Sequence, residues 1–105
     1  PKVAVLGLAF KPNIDDLRES PAMLITEQLA QRLPQAQILA VEPNIIELPA
    51  KLADSENVQL TELNDALRDA DIVLLLVDHD EIKAVDPSTV NAGFVYDTRG
   101  AWRTK

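Results

Sequence analysis

The chain has no cysteine. That excludes a disulfide framework, a thiolate metal site and a cysteine nucleophile within it, and it is compatible with a cytosolic setting. It also has no excess of positive charge. Ten Lys and Arg stand against 17 Asp and Glu, a formal net charge of −7. An acidic chain without a basic stripe argues against DNA, RNA or anionic membranes as partners. No apolar run approaches the ~20 residues of a membrane-spanning helix, and no signal peptide is expected. Glycine is scarce, at 3 residues, and aromatics make up only 4%. What remains is 105 residues, 47% of them hydrophobic, enough for one domain with a real core. There is no internal repeat, low-complexity segment or linker. The chain opens at Pro1 and enters a strand at once, so it reads as a domain, residues 1–105, cut from a longer protein.

Apolar runs alternate with helical patterns. Residues 2–8 (KVAVLGL) read as a buried parallel strand. Ser20-Pro21 opens a helix, Ser as N-cap and Pro at the first helical position. Met23, Leu24, Ile25, Leu29, Ala30 and Leu33 are expected to form its apolar face, and Pro34 to end it. A second strand is expected over 38–41, a short or broken helix within 45–53, and a minor strand over 58–60. Thr61 is expected to cap a helix reaching Ala70, with Leu63, Ala66 and Leu67 inward. The most apolar run, 72–77 (IVLLLV), predicts a central strand, followed by a short helix to about Ala84. A turn over 87–92 and a last strand over 94–96 complete the pattern. Such alternation predicts an α/β fold: a three-layer αβα, Rossmann-like, doubly wound and mainly parallel sheet of about five strands.

Ligands of such folds bind outside the carboxyl ends of the strands. The loops expected there span 9–20, 42–44, 78–80 and 97–99, together with Thr61. The first contains Phe10-Lys11-Pro12-Asn13-Ile14-Asp15-Asp16-Leu17-Arg18-Glu19. Lys11, Arg18 and Arg99 all fall on this edge. Cations gathered on the ligand edge of an acidic protein suggest an anionic ligand, with phosphate the natural choice. The competing reading pairs Lys11 and Arg18 with Asp15, Asp16 or Glu19 on a solvated loop.

Other constellations are less telling. Gly7 is followed by Leu8, Ala9 and Phe10, so the GxGxxG turn of a primary dinucleotide site is missing. Glu42 ends the second strand, where a ribose-binding acid would lie, but too far along the chain for that fingerprint. It reads instead as a strand-end residue leading into a Pro turn. Asp78-His79-Asp80 looks like a metal cluster, yet adjacent residues of an extended chain point apart. A helix-capping Asp beside an exposed His is the preferred reading, and no metal site is expected. Phe10, Tyr96 and Trp102 lie near the expected ligand loops. One of them could stack on a base, with Tyr96 expected in the core.

The run GLAFKPNIDDLRESPA resembles the G-x-x-F-K-x-x-x-x-D-x-R-x-S-P signature that opens the C-terminal domain of the UDP-glucose/GDP-mannose dehydrogenase family. The likeness continues at Val41-Glu42-Pro43-Asn44, Leu76-Val77-Asp78-His79 and Asp97-Thr98-Arg99-Gly100 with Trp102. The combined pattern is most similar to bacterial members acting on UDP-N-acetyl-D-mannosamine. The resemblance implies an enzyme that oxidises the sugar C6 alcohol to a carboxylate in two steps with two NAD⁺. It implies an N-terminal Rossmann domain for NAD, a central helical region supporting a homodimer, and a catalytic Cys, all outside this chain. This domain would hold the UDP part of a UDP-sugar and be inactive alone, with no catalytic residue of its own. Carried over by position, Phe10 and Lys11 would contact the nucleotide sugar, Arg99 the UDP moiety, and Arg18 would reach the NAD site across the cleft. Asp15 and Asp16 would shape the loop. Ser20 would be the helix N-cap, its helix adding favourable potential for a phosphate. Position 42 is often Asp in the family and is Glu here. A cytoplasmic enzyme supplying an acidic amino sugar for surface polysaccharide would follow.

Two alternatives stay open. The sugar nucleotide could be UDP-N-acetylglucosamine, UDP-glucose or GDP-mannose. Alternatively, the chain could be a non-enzymatic, flavodoxin-like regulatory module, with Asp15-Asp16 as its phospho-acceptor pocket.

Overall fold

A computed structural model describes residues 1–9, 13, 17 and 20–102. The elements follow in the order β1 (Lys2–Leu6), α1 (Pro21–Arg32), β2 (Gln37–Val41), α2 (Ala50–Ala53), β3 (Val58–Leu60), α3 (Leu63–Asp69), β4 (Ile72–Leu75), α4 (Asp80–Lys83) and β5 (Phe94–Asp97). A 3₁₀ turn, Pro87–Thr89, precedes β5. The strands form one sheet, ordered β3-β2-β1-β4-β5, and every pairing is parallel.

Alternation along the strands divides the core into two layers. Val3 and Val5 of β1, with Ile38 and Ala40 of β2, pack beneath Met23 and Ala30 of α1 and Leu52 of α2. Ala4, Leu6, Leu39, Val41, Val73 and Leu75 face the other way, against Ala66 and Leu67 of α3, Ile82 of α4 and Trp102. Helices on both faces bury the inner strands on both sides, which is why those strands read as continuous apolar runs.

Helix α1 starts as its sequence predicts: the Ser20 hydroxyl accepts from the Met23 amide and Pro21 takes the first position. Its buried face differs from the expected one. Ala22, Thr26 and Ala30, spaced by four, lie inward with Met23, while Leu24 is 56% exposed and Ile25 and Leu33 also face outward. Small residues at that spacing let the helix lie close on the sheet, and the larger side chains take its flanks. The buried Thr26 hydroxyl is satisfied by donating to the Ala22 carbonyl at 2.7 Å. Beyond the helix end, Nδ2 of Asn57 lies 3.1 Å from the carbonyl oxygens of Ala30, Leu33 and Ala36. It thereby serves acceptors that a helix terminus leaves unpaired.

The short helix expected within 45–53 is Ala50–Ala53, because Pro49 has no amide to continue a ladder and instead precedes the first turn. Two further expectations are corrected. Glu62, not Thr61, occupies the α3 N-cap, and the Thr61 hydroxyl donates to the Gln59 carbonyl. Tyr96 is not core: β5 lies at the sheet edge, and Phe94 and Tyr96 are 63% and 58% exposed. Among the described residues, no strand pairs with the outer edge of β5.

Candidate functional site

All strands run the same way, so their carboxyl ends share one edge. Chain order reverses between β1 and β4: β1 leads back to β2, whereas β4 leads on to β5. The exits of β1 and β4 therefore open the crevice in which such folds take ligands.

Gly7 makes the exit of β1 possible. Its φ is +96°, and a Cβ placed there would lie 2.5 Å from Cβ of Val77 and 2.9 Å from the Val77 backbone nitrogen and oxygen. The two strand ends thus touch backbone to backbone, an approach open to glycine alone. The turn points the next two amides at Glu42. Leu8 and Ala9 N–H donate to Oε1 of Glu42 at 2.9 and 3.0 Å. Oε2 accepts from the Asn44 backbone amide at 3.1 Å and from its side-chain amide at 3.0 Å.

The remaining partner of Glu42 is His79, whose Nε2 lies 2.8 Å from Oε1; both side chains are fully buried. On the other side of the ring, the Asn13 amide donates to Nδ1 at 2.7 Å. A backbone amide only donates, so Nδ1 is the acceptor and Nε2 carries the proton that Glu42 receives. Burial pushes the Glu42 carboxyl up. The hydrogen bonds from His79, Leu8 and Asn44 outweigh it and hold the group below the ordinary glutamate range.

Asn13 adopts φ +63°, a left-handed conformation that asparagine tolerates better than most residues. Its Oδ1 accepts from the Asp80 amide at 2.9 Å. Hence Asn13 is tied twice to the β4 exit, and Ala9 is tied to the β2 exit.

At the end of β5 the chain turns about Asp97. Its Oδ1 accepts from the amides of Arg99 at 3.1 Å and Ala101 at 3.0 Å, and its Oδ2 from Trp102 at 2.8 Å. Burial raises the Asp97 carboxyl, but these backbone donors overcome it and hold the group low. The turn sends Trp102 into the core, where Nε1–H donates to the Ile82 carbonyl at 2.8 Å. It leaves Arg99 about half exposed on the strand-end edge, with Nε 3.3 Å from Oδ1 of Asp78. A hollow of about 350 Å³ lined by Pro87, Val90, Val95, Asp97 and Trp102 lies beside this turn. Among the described residues its only charge is the Asp97 carboxylate, already engaged by amides.

Of the sequence-predicted site residues, the structure places Arg99 at the strand-end edge; Phe10, Lys11, Arg18, Asp15 and Asp16 lie outside the described residues. Asp78-His79-Asp80 does not converge. Asp78 faces Arg99, Asp80 lies 3.5 Å from Lys83, and His79 turns inward, buried rather than exposed. Nor does an Asp side chain cap α4: His79 holds the N-cap position without a side-chain cap bond. Among the described residues, no group of three His, Cys, Asp or Glu could hold a metal ion. Trp102 is a core residue, unavailable for stacking on a base.

Glu42 is more than the end of a strand before a proline. Its five donors and its burial leave no lone pair for a ribose. Gly7, filled by Val77, offers no approach to a pyrophosphate. These residues do not fit a primary NAD site. The buried role of His79, read from sequence as exposed, and the part played by Asn13 escaped the sequence reading. A usable signal existed: an acid ending one strand and a histidine following another converge once both strands flank β1.

Residues 4–104 match the sequence profile of the UDP-glucose/GDP-mannose dehydrogenase family, UDP binding domain. The chain belongs to that family. It is 52% identical over 102 residues to the UDP-N-acetyl-D-mannosamine dehydrogenase of Salmonella typhi, covering 97% of this chain and 24% of that protein. It is 47% identical over 105 residues to the NDP-N-acetyl-D-galactosaminuronic acid dehydrogenase of Ralstonia solanacearum, covering 100% of this chain and 24% of that one. The solved UDP-N-acetyl-mannosamine dehydrogenase of Staphylococcus aureus superposes with a TM-score of 0.72 at 32% identity, over 99% of this chain and 23% of that one. The chain thus spans about a quarter of the length of these relatives. The match bears out the resemblance and decides against the regulatory-module alternative.

Proposed function

We propose that this chain is the C-terminal UDP-sugar-binding domain of an NAD-dependent UDP-N-acetyl-D-mannosamine 6-dehydrogenase. It binds the nucleotide end of the substrate through Phe10, Lys11 and Arg99, and Arg18 extends toward the cofactor across the cleft. NAD and the catalytic cysteine belong to other parts of the longer protein, in keeping with the absence of cysteine here and the poor fit of Gly7 and Glu42 to a dinucleotide. This domain alone does not oxidise the sugar. The whole enzyme works as a cytoplasmic homodimer and makes a uronate for surface polysaccharide.

The observation that carries the reading is Arg99. It is an accessible guanidinium at the carboxyl end of β5, on the same edge as the β1–α1 junction that bears the family motif. A nucleotide handle bound away from C6 supplies binding energy that positions the reacting carbon. Closing a second domain over it excludes water from an aldehyde stage. The test is a calorimetric or NMR titration of the chain with UDP. Saturable binding, weakened about tenfold or more by Lys11→Ala and by Arg99→Ala, is expected for charge-assisted phosphate contacts. Binding indifferent to both changes would remove the reading.

The similarity to the Ralstonia solanacearum protein favours a second reading of the sugar alone, an N-acetylgalactosamine-type nucleotide. Comparing kcat/KM for the candidate UDP-sugars in the full-length enzyme separates the two.

A further inference from the structure

Between Ala9 and Asn13 lie only Phe10, Lys11 and Pro12. Both ends of that span are fastened to one buried pair. Ala9, with Leu8, gives its amide to Oε1 of Glu42, and Asn13 gives its amide to Nδ1 of His79. The pair is closed by the 2.8 Å contact between Nε2 and Oε1. A single chain of hydrogen bonds therefore runs from one end of the span to the other through two side chains from different strand ends.

We infer that Glu42 and His79 are positioning residues for the nucleotide-contact segment: they fix its two described ends, Ala9 and Asn13, without touching the ligand themselves. The inference rests on the proposed role of Lys11 in nucleotide binding. Three features support it. Neither side chain is accessible, so neither can contact a ligand directly. The ring is used at both nitrogens, and Asn44 directs its side-chain amide at both Glu42 and His79, 3.0 Å from Oε2 and 3.4 Å from Nδ1. Asn13 is doubly held, by His79 and by the Asp80 amide, in a backbone conformation unfavourable for most side chains. A short span held at both ends loses less freedom when an anion binds. That is how preorganisation raises affinity without adding a contact.

The bonds that matter can be separated by substitution. His79→Ala removes both ring contacts. His79→Asn keeps an acceptor close to the position of Nδ1 but gives up the bond to Glu42. Glu42→Gln keeps one carbonyl oxygen and loses the charge. The experiment is amide hydrogen exchange of the 105-residue chain, read by NMR at Asn13 and Ala9 and in β1 and β4, combined with UDP titration of the same variants and of Lys11→Ala. We expect His79→Ala to speed exchange at Asn13 about tenfold beyond any change at the β1 and β4 amides, which report global stability, and to weaken UDP binding several-fold, as for loss of one buried hydrogen bond. His79→Asn should recover most of the protection at Asn13 and most of the affinity. Glu42→Gln should loosen Ala9 and weaken UDP in step. Unchanged UDP affinity in His79→Ala, with Lys11→Ala still weakening it, would overturn the positioning role and leave the nucleotide reading standing. UDP binding that is absent or insensitive to Lys11→Ala would instead remove the nucleotide reading and this inference with it.

Discussion

Nε2 of His79 donates to Oε1 of Glu42 across 2.8 Å in a place that no solvent reaches. The two residues are 37 positions apart and follow different strands, yet each completes the hydrogen bonding of the other. Glu42→Gln should therefore cost about 2–4 kcal/mol, since it leaves His79 and four other donors facing half the acceptor they had. Chemical denaturation against the unaltered chain measures this. A loss below 1 kcal/mol would show that the buried charge contributes little.

Acid should unfold the protein earlier than its surface charge suggests. Glu42 and Asp97 both sit below their ordinary ranges in the folded chain. The unfolded chain takes up those protons first, at about pH 4.3 for Glu and about 3.9 for Asp, so stability rises with pH there. Their contribution is complete above those values and is lost as pH falls through the lower, folded ones. Melting temperature followed from pH 7 to pH 3 should hold down to about pH 5 and then drop, less steeply in Glu42→Gln. Equal acid slopes in the two proteins would contradict the assignment to Glu42.

Gly7→Ala should destabilise by about 2–4 kcal/mol, through the positive φ and the overlap with Val77. Adding Val77→Ala should not restore stability, because the Val77 backbone nitrogen and oxygen obstruct the new methyl as well. Full rescue by that second change would show that side-chain crowding was the whole cost.

Asp97→Asn should loosen the turn that seats Trp102. An amide in place of the carboxylate can leave an NH₂ facing the Trp102 amide, for a loss of about 1–3 kcal/mol and a shift in tryptophan fluorescence. An unchanged emission spectrum would mean that packing alone holds the indole.

Stability and binding should separate at Arg99. Its contact with Asp78 is at the surface, so Arg99→Ala should change folding stability by no more than about 0.5 kcal/mol. UDP affinity should fall in the same variant. A large loss of stability would make the binding result uninformative about contact and would point to a structural arginine.

Local signals carried most of the architecture. The apolar runs read at 2–8, 38–41 and 72–77 became the inner strands Lys2–Leu6, Gln37–Val41 and Ile72–Leu75, and Ser20-Pro21 opened its helix as written. Errors arose where tertiary packing chose among equivalent local patterns. Helix α1 offers both a large-residue stripe and a small-residue stripe, and close approach to the sheet selected the small one. Tyr96 has a strand pattern, but only strand order reveals that β5 is an edge. His79 looked like a loop residue because its partners, Glu42 and Asn13, are distant in sequence. For the site, the motif located the edge, Arg99 is placed on it, and the network beneath depended on three chain segments meeting.

The edge strand β5 also governs how copies of the domain behave together. Phe94, Val95 and Tyr96 stand on a ribbon whose outer hydrogen-bonding groups have no strand beside them among the described residues. Such a ribbon is a template for joining sheet to sheet. The net charge of −7 opposes it by keeping copies apart. Added salt screens that repulsion, so the isolated domain should resist self-association less as ionic strength rises.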